Sequence, residues 1–234
     1  MTYMGSKGRI AKHILPIILK DRKEEQYYVE PFIGGANTMD KVTGLRIGGD
    51  AHLPTILALE QIRDNIEDIP KNNKEFTEEH YKDLRLQSKF CTRHDISFAG
   101  FAYSFGAKWF GGWCRAKDPL KDYVAIAYRS ALKQSPKLRG IELYNKSYEN
   151  LTIPANSLIY CDPPYRNTTK YASGLDYEHF YQWCRDKAKE GHTVFVSEYN
   201  MPNDFTCVWS KEITSNIDST SKTLKPTEKL FTIK

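Results

Sequence analysis

Asp162-Pro163-Pro164-Tyr165 are the residues of this sequence whose types and spacing point most directly to chemistry. They follow Leu158-Ile159-Tyr160-Cys161, an apolar and aromatic run that reads as a short buried strand. The prolines end that strand, because neither has an N–H with which to extend a ladder. A carboxylate, the stiffly held carbonyls of Asp162 and Pro163, and the ring of Tyr165 are thereby gathered at a strand's carboxyl end. Open α/β sheets bind ligands there. The set suits a planar ring carrying an exocyclic amine. The lone pair of such an amine is delocalised into the ring, and acceptors that take its N–H bonds localise it and stabilise positive charge on nitrogen. Tyr165 would stack on the ring and align it for attack. A plain turn with a helix-capping aspartate fits the same four residues.

The elements that must position this group read as alternating strands and helices. Tyr3-Met4-Gly5-Ser6-Lys7-Gly8-Arg9 is a glycine-rich loop with a lysine, leading into an amphipathic helix at Ile10 to Leu15. It is not a P-loop, since the Gly-Lys-Ser/Thr order is absent. Tyr27-Tyr28-Val29 reads as a strand that enters Glu30-Pro31-Phe32-Ile33-Gly34-Gly35-Ala36-Asn37-Thr38, a turn expected to open a helix. Glycines there would let the backbone approach a ligand closely. Leu45 to Asp50 reads as a second strand ending in an acid, a position from which a carboxylate accepts from ribose hydroxyls. A helix is expected over His52 to Arg63 and a strand at Ile141 to Tyr144, before the Asn145-Lys146-Ser147-Tyr148 segment. Later come a helix from Tyr177 to Lys189, a buried strand at Thr193 to Ser197, and a closing antiparallel pair, Thr206 to Thr214 with Glu228 to Ile233.

Residues 65 to 140 differ in character. They offer no strand pattern, helices over Glu78 to Ser88 and Asp122 to Gln134, and an aromatic, glycine and basic stretch from Phe98 to Arg115. Composition narrows the classes. At 234 residues with 40% hydrophobic and 27% charged residues, the chain can bury a real core. No apolar run approaches the roughly 20 residues that span a bilayer, and the six-residue Ile14 to Leu19 run has no signal-peptide context. We therefore expect a cytoplasmic protein with no membrane partner. The five cysteines form no C-x-x-C pair and the six histidines no ligand spacing, so neither a disulfide framework nor a metal site is expected. A net charge of +5 permits a polyanionic partner without requiring one.

Taken in order, these motifs resemble the Dam-type (D12 class) DNA adenine-N6 methyltransferases, including small phage-encoded members. The similarity covers residues 2 to 64 and 141 to 233. Y-x-G-x-K at Tyr3 to Lys7 is similar to the family's N-terminal cofactor motif, V-E-P-F-I-G-G-A-N-T to its motif I, and D-P-P-Y to its catalytic motif. Motif I departs from the commoner F-x-G-x-G form.

The resemblance implies an α/β fold: a Rossmann-like S-adenosylmethionine-dependent methyltransferase sheet with an inserted, mostly helical DNA-recognition module. The discontinuous catalytic domain would be 1–64 and 141–234, and the target-recognition module 65–140. The implied reaction is site-specific methyl transfer from S-adenosylmethionine to N6 of a flipped adenine in double-stranded DNA, without a metal. Asp162, Pro163, Pro164 and Tyr165 would form the catalytic group. Tyr3, Lys7, Glu30, Phe32, Gly34, Gly35, Asn37, Asp50, Tyr148 and Asp162 would contact the cofactor. Lys108, Trp109, Phe110, Arg115 and Lys170 would contact DNA, with an aromatic filling the gap left by the base. A monomer or weak dimer in a bacterial or phage-infected cell, with a role in restriction-modification, completes the expectation. Alternatives are a cytosine-N4 or RNA methyltransferase, or a non-catalytic DNA-binding protein that keeps the fold. A nicotinamide enzyme is disfavoured because G-x-G-x-x-G is absent.

Overall fold

A computed structural model describes residues 1–115, 118, 120–165, 174–212 and 227–233. Among them, strands β1 (Tyr28–Glu30), β2 (Arg46–Gly49), β3 (Ile141–Tyr144), β4 (Leu158–Cys161), β5 (Thr193–Glu198), β6 (Thr206–Glu212) and β7 (Thr227–Ile233) form one sheet in the order β3-β2-β1-β4-β5-β7-β6. Strands β1 to β5 pair in parallel, and β7 runs antiparallel to both β5 and β6. The expected α/β methyltransferase-like sheet is present. From β1 the chain first moves outward through β2 and β3, then returns to place β4 on β1's other side. That reversal opens a crevice beyond the carboxyl ends of β1 and β4.

The helices are α1 (Ala11–Ile18), α2 (Leu53–Asp64), α3 (Glu78–Leu86), α4 (His94–Ala102), α5 (Tyr123–Leu138) and α6 (Tyr177–Lys189). Strand side chains alternate between two cores, as the two-residue period of a pleated sheet requires. Tyr28, Tyr160, Phe195 and Leu230 join α1, α2, α4 and α5 on one face. Val29, Ile159, Cys161, Val194 and Phe231 join Phe180, Tyr181, Trp183 and Cys184 of α6 on the other. The central strands are buried on both faces, which explains why they read as unbroken apolar runs. Residues 65–140 supply α3, α4 and α5, whose apolar side chains share a single core with the sheet. Arg46 of β2 ties the end of α5 to the sheet by donating to the carbonyls of Lys137 (2.8 Å) and Arg139 (2.7 Å).

One expectation is corrected here. The glycine turn after β1 does not open an α-helix; only a single 3-10 turn, Met39–Lys41, follows. Gly34 (φ 47°) and Ala36 (φ 55°) both lie in the left-handed region, so the chain is not committed to right-handed helix before Thr38. Val42 is extended already, and Gly44 turns at φ 80°. Among the described residues no helix is long and apolar enough to cross a membrane.

Candidate active site

The buried strand β4 delivers Asp162 to the crevice, and the prolines then turn the chain across it. The Tyr177 hydroxyl, at the start of α6, donates to the Pro164 carbonyl at 2.7 Å and fixes that turn. Lys7, only 8% exposed, places Nζ 2.9 Å from Asp162 Oδ1. That oxygen is buried and is held by this ion pair. The same ammonium sits 4.4 Å from the centroid of the Tyr165 ring and donates to the Gly5 carbonyl at 3.2 Å. Tyr165 donates its hydroxyl to Glu228 Oε2 at 2.6 Å and meets Tyr199 edge-on at 4.6 Å.

The opposite wall is the glycine turn. Tyr3 lies so close over it that a Cβ at Gly34 would come within 2.9 Å of the ring, and one at Gly35 within 2.6 Å of Tyr3 Cβ. Asp50, just past β2, accepts from Gly34 N at 3.2 Å through Oδ2 and from His52 N at 2.9 Å through Oδ1. A carboxylate has about four lone-pair sites, so Asp50 keeps acceptor capacity for hydroxyls. An adenosine-bearing cofactor fits the partly satisfied acid at this strand end, while the glycines at 34 and 35 make room for Tyr3.

Burial dominates the site's electrostatics. It pushes the Asp162 carboxyl up to about 6 against the opposing pull of Lys7, with Glu228 adding to the rise. Burial likewise lifts Asp50 to about 6 despite its two backbone N–H donors. Burial would lower Lys7, but the Asp162 and Glu228 carboxyls outweigh it and hold the ammonium above its ordinary value. Glu30, 2% exposed, accepts from the Tyr28 hydroxyl at 2.8 Å. Its burial raises the carboxyl to about 8, partly offset by the Tyr28 hydrogen bond and reinforced by Asp162.

This has a consequence for stability. A folded-state value of about 8 against an ordinary 4.5 means that the native state holds the proton more tightly than the unfolded chain. The Glu30 contribution therefore weakens folding as pH rises from 4.5 to 8. Between pH 6 and 8, where Asp50 and Asp162 have passed their values near 6, it is opposed by the Met1 ammonium, which burial lowers to about 5 and which favours folding as pH rises. Removing the Glu30 contribution by Glu30→Gln is expected to make urea-unfolding free energies rise more steeply with pH between 6 and 8 than those of the unmutated protein; an identical pH dependence would refute the assignment.

The other sequence-predicted residues are distributed unevenly. Phe32 stacks on Tyr148 at 5.4 Å, and the Tyr148 hydroxyl pairs with His179 Nδ1 at 3.1 Å, which places both on the α6 side of the crevice. Asn37 donates to the Met1 carbonyl at 3.0 Å and so braces the N-terminal segment. Lys7, one of the residues expected at the cofactor, pairs with the Asp162 carboxylate. Lys108 is exposed. Trp109 is half-buried against His52 (5.5 Å) and Phe101 (5.0 Å).

Phe110 requires a correction. It is 6% exposed and packs against Tyr81 at 5.2 Å, so its ring is core and does not face a DNA partner. Arg115 is exposed, but its guanidinium is paired with Glu78 at 2.5 Å. Lys170 lies outside the described residues. Sequence reasoning missed two residues. Glu228 reaches Tyr165 only through the sheet topology. Phe105 is 70% exposed, on a turn closed by Phe105 N to the Gly112 carbonyl (2.8 Å) and a Ser104–Trp113 bridge.

The family model described as D12 class N6 adenine-specific DNA methyltransferase matches residues 3–229. No curated protein sequence matches the chain. Among solved structures, the crystal structure of SMU.472 complexed with SAH is 11% identical with a TM-score of 0.40. The alignment covers 97% of this chain and 52% of that one, so this chain spans about half the length of that protein.

Proposed function

We propose a reaction for this chain, which belongs to the D12 class N6 adenine-specific DNA methyltransferase family: methyl transfer from S-adenosylmethionine to N6 of an adenine flipped out of double-stranded DNA. The observation that carries it is the Asp162 carboxylate, whose buried Oδ1 is ion-paired with a Lys7 ammonium that also lies over the Tyr165 ring, at the sheet's reversal point. Tyr3, Gly34, Gly35 and Asp50 would hold the cofactor, with Phe32 and Tyr148 lining the same crevice. S-adenosylmethionine, when bound, supplies a methyl group already activated by its sulfonium charge. Adenine enters after leaving the stack, at a cost of about a few kcal/mol. Asp162 accepts from the N6 amine and concentrates the lone pair on nitrogen. Tyr165 holds the ring in line. With S-adenosylmethionine bound, N6 would take the methyl group as S-adenosylhomocysteine leaves, and the surplus N6 proton would pass toward Asp162 or solvent.

Residues 1–64 and 141–234 are assigned to catalysis and 65–140 to target recognition. The test is incubation with S-adenosylmethionine and unmethylated duplex DNA, followed by mass analysis of the digested nucleosides. N6-methyladenine is expected; N4-methylcytosine would overturn the base assignment, and no methylated nucleoside would overturn the reaction.

Two further expectations arise from the same reading. Asp50→Asn is expected to weaken S-adenosylhomocysteine binding about tenfold, the scale of a hydrogen bond to a charged acceptor. Calorimetry checks this, and unchanged affinity would remove Asp50 from the cofactor site. Phe105→Ala is expected to weaken duplex binding by about tenfold or more through lost base stacking, with S-adenosylhomocysteine affinity intact. Fluorescence anisotropy that does not change would exclude Phe105 from the DNA face.

A further inference from the structure

Strand β7 carries alternate side chains to opposite sheet faces, and Leu230 marks the face that also bears Tyr28 and Tyr160. Glu228, two residues earlier, shares that face and is 6% exposed. Glu30 and Asp162 lie two residues past Tyr28 and Tyr160 and so share it as well. Three acids thus converge at the sheet's carboxyl end, with the Lys7 ammonium between Asp162 and the Tyr165 ring.

The short bond from the Tyr165 hydroxyl to Glu228 has two physical effects. It removes rotational freedom from a side chain that follows two prolines and also meets the edge of Tyr199 and the Lys7 ammonium. It also moves electron density from the carboxylate side into the phenol, which makes the ring face more negative. A negative face attracts a cation, and the ammonium of Lys7 already lies over this one at 4.4 Å. An amine being methylated gains positive charge while stacked on that ring.

We propose that Glu228 is a positioning residue, acting through Tyr165: it sets the ring's orientation and enriches its face to stabilise positive charge developing on the acceptor nitrogen. This rests on the methyl-transfer reading above. It predicts that Glu228 and Tyr165 act as one unit, because the effect of the carboxylate passes through the hydroxyl.

The experiment measures kcat and KM for Glu228→Gln, Tyr165→Phe and the double variant with duplex DNA and S-adenosylmethionine. It also records the 13Cζ resonance of Tyr165 in tyrosine-labelled protein without substrates, assigned by its disappearance in Tyr165→Phe. Each single variant is expected to lose about tenfold or more in kcat, the rate equivalent of one charge-assisted hydrogen bond. KM for S-adenosylmethionine should stay within about twofold, since uniform binding is untouched. The double variant should be no slower than the slower single one, and Glu228→Gln should shift the resonance. An unchanged kcat in Glu228→Gln, losses that multiply in the double variant, or an unmoved resonance would each overturn the proposal. If the unmutated protein makes no methylated adenine, the proposed function and the catalytic half of this inference both fail, while the resonance still decides whether the anchor exists.

Discussion

Asp162→Ala is expected to lose methyl transfer by about a hundred- to a thousandfold, the effect of deleting one preorganised group that faces developing charge. The carboxylate is the acceptor proposed to localise the amine lone pair, and it stands directly at the end of β4 beside Lys7. Stability has to be followed separately. Removing the carboxylate relieves a group that burial has raised to about 6, yet it leaves Lys7 enclosed without its 2.9 Å partner. An orphaned buried charge is destabilising. Asp162→Asn, which preserves shape, is the companion variant, and circular dichroism confirms that both are folded. Substantial turnover in a folded Asp162→Ala protein would sink the mechanism.

Lys7→Met is expected to change the pH dependence before it changes anything else. Lys7 is the group that pulls the Asp162 carboxyl down to about 6 against burial. Without it the carboxyl rises further, so the acid limb of the kcat profile moves to higher pH. Loss of a neighbouring opposite charge is worth roughly one to three units, which translates into about a tenfold loss of activity at pH 7. Activity should recover as pH is raised past the new value, because the carboxyl is then ionised again. An acid limb in its original place would mean that the ion pair does not govern the ionisation of Asp162.

How much of this was legible in the sequence follows from the range of the interactions. β4 and its turn could be read because the prolines at 163 and 164 are local, unambiguous stops. α6 carried a helical period and ran over Tyr177–Lys189 as expected. The missing helix after β1 could not be read, since it depends on Ala36 adopting a left-handed conformation in a turn packed under Tyr3. In the stretch from Phe98 to Arg115 aromatics and glycines alternate without period, so inward and outward rings look alike. Gly100 decides the matter: Trp109 and Phe110 pack where its Cβ would be, and Phe105 is left outside. Lys7 with Asp162, and Glu228 with Tyr165, are pairs that strand order alone brings together.

The placing of Asp162 and Glu228 about the Lys7 ammonium also bears on what the crevice admits. The chain as a whole has a net charge of +5, which favours approach to a polyanion at long range. Within the crevice two carboxyl groups face the one ammonium, while Glu30, raised to about 8, holds its proton at neutral pH. A phosphate pressed against Asp162 and Glu228 would meet repulsion scarcely screened by water. A nucleobase carries no charge and meets none. The surface therefore gathers the strand, while the pocket filters it, holding the backbone at the rim and accepting only what can rotate away from it.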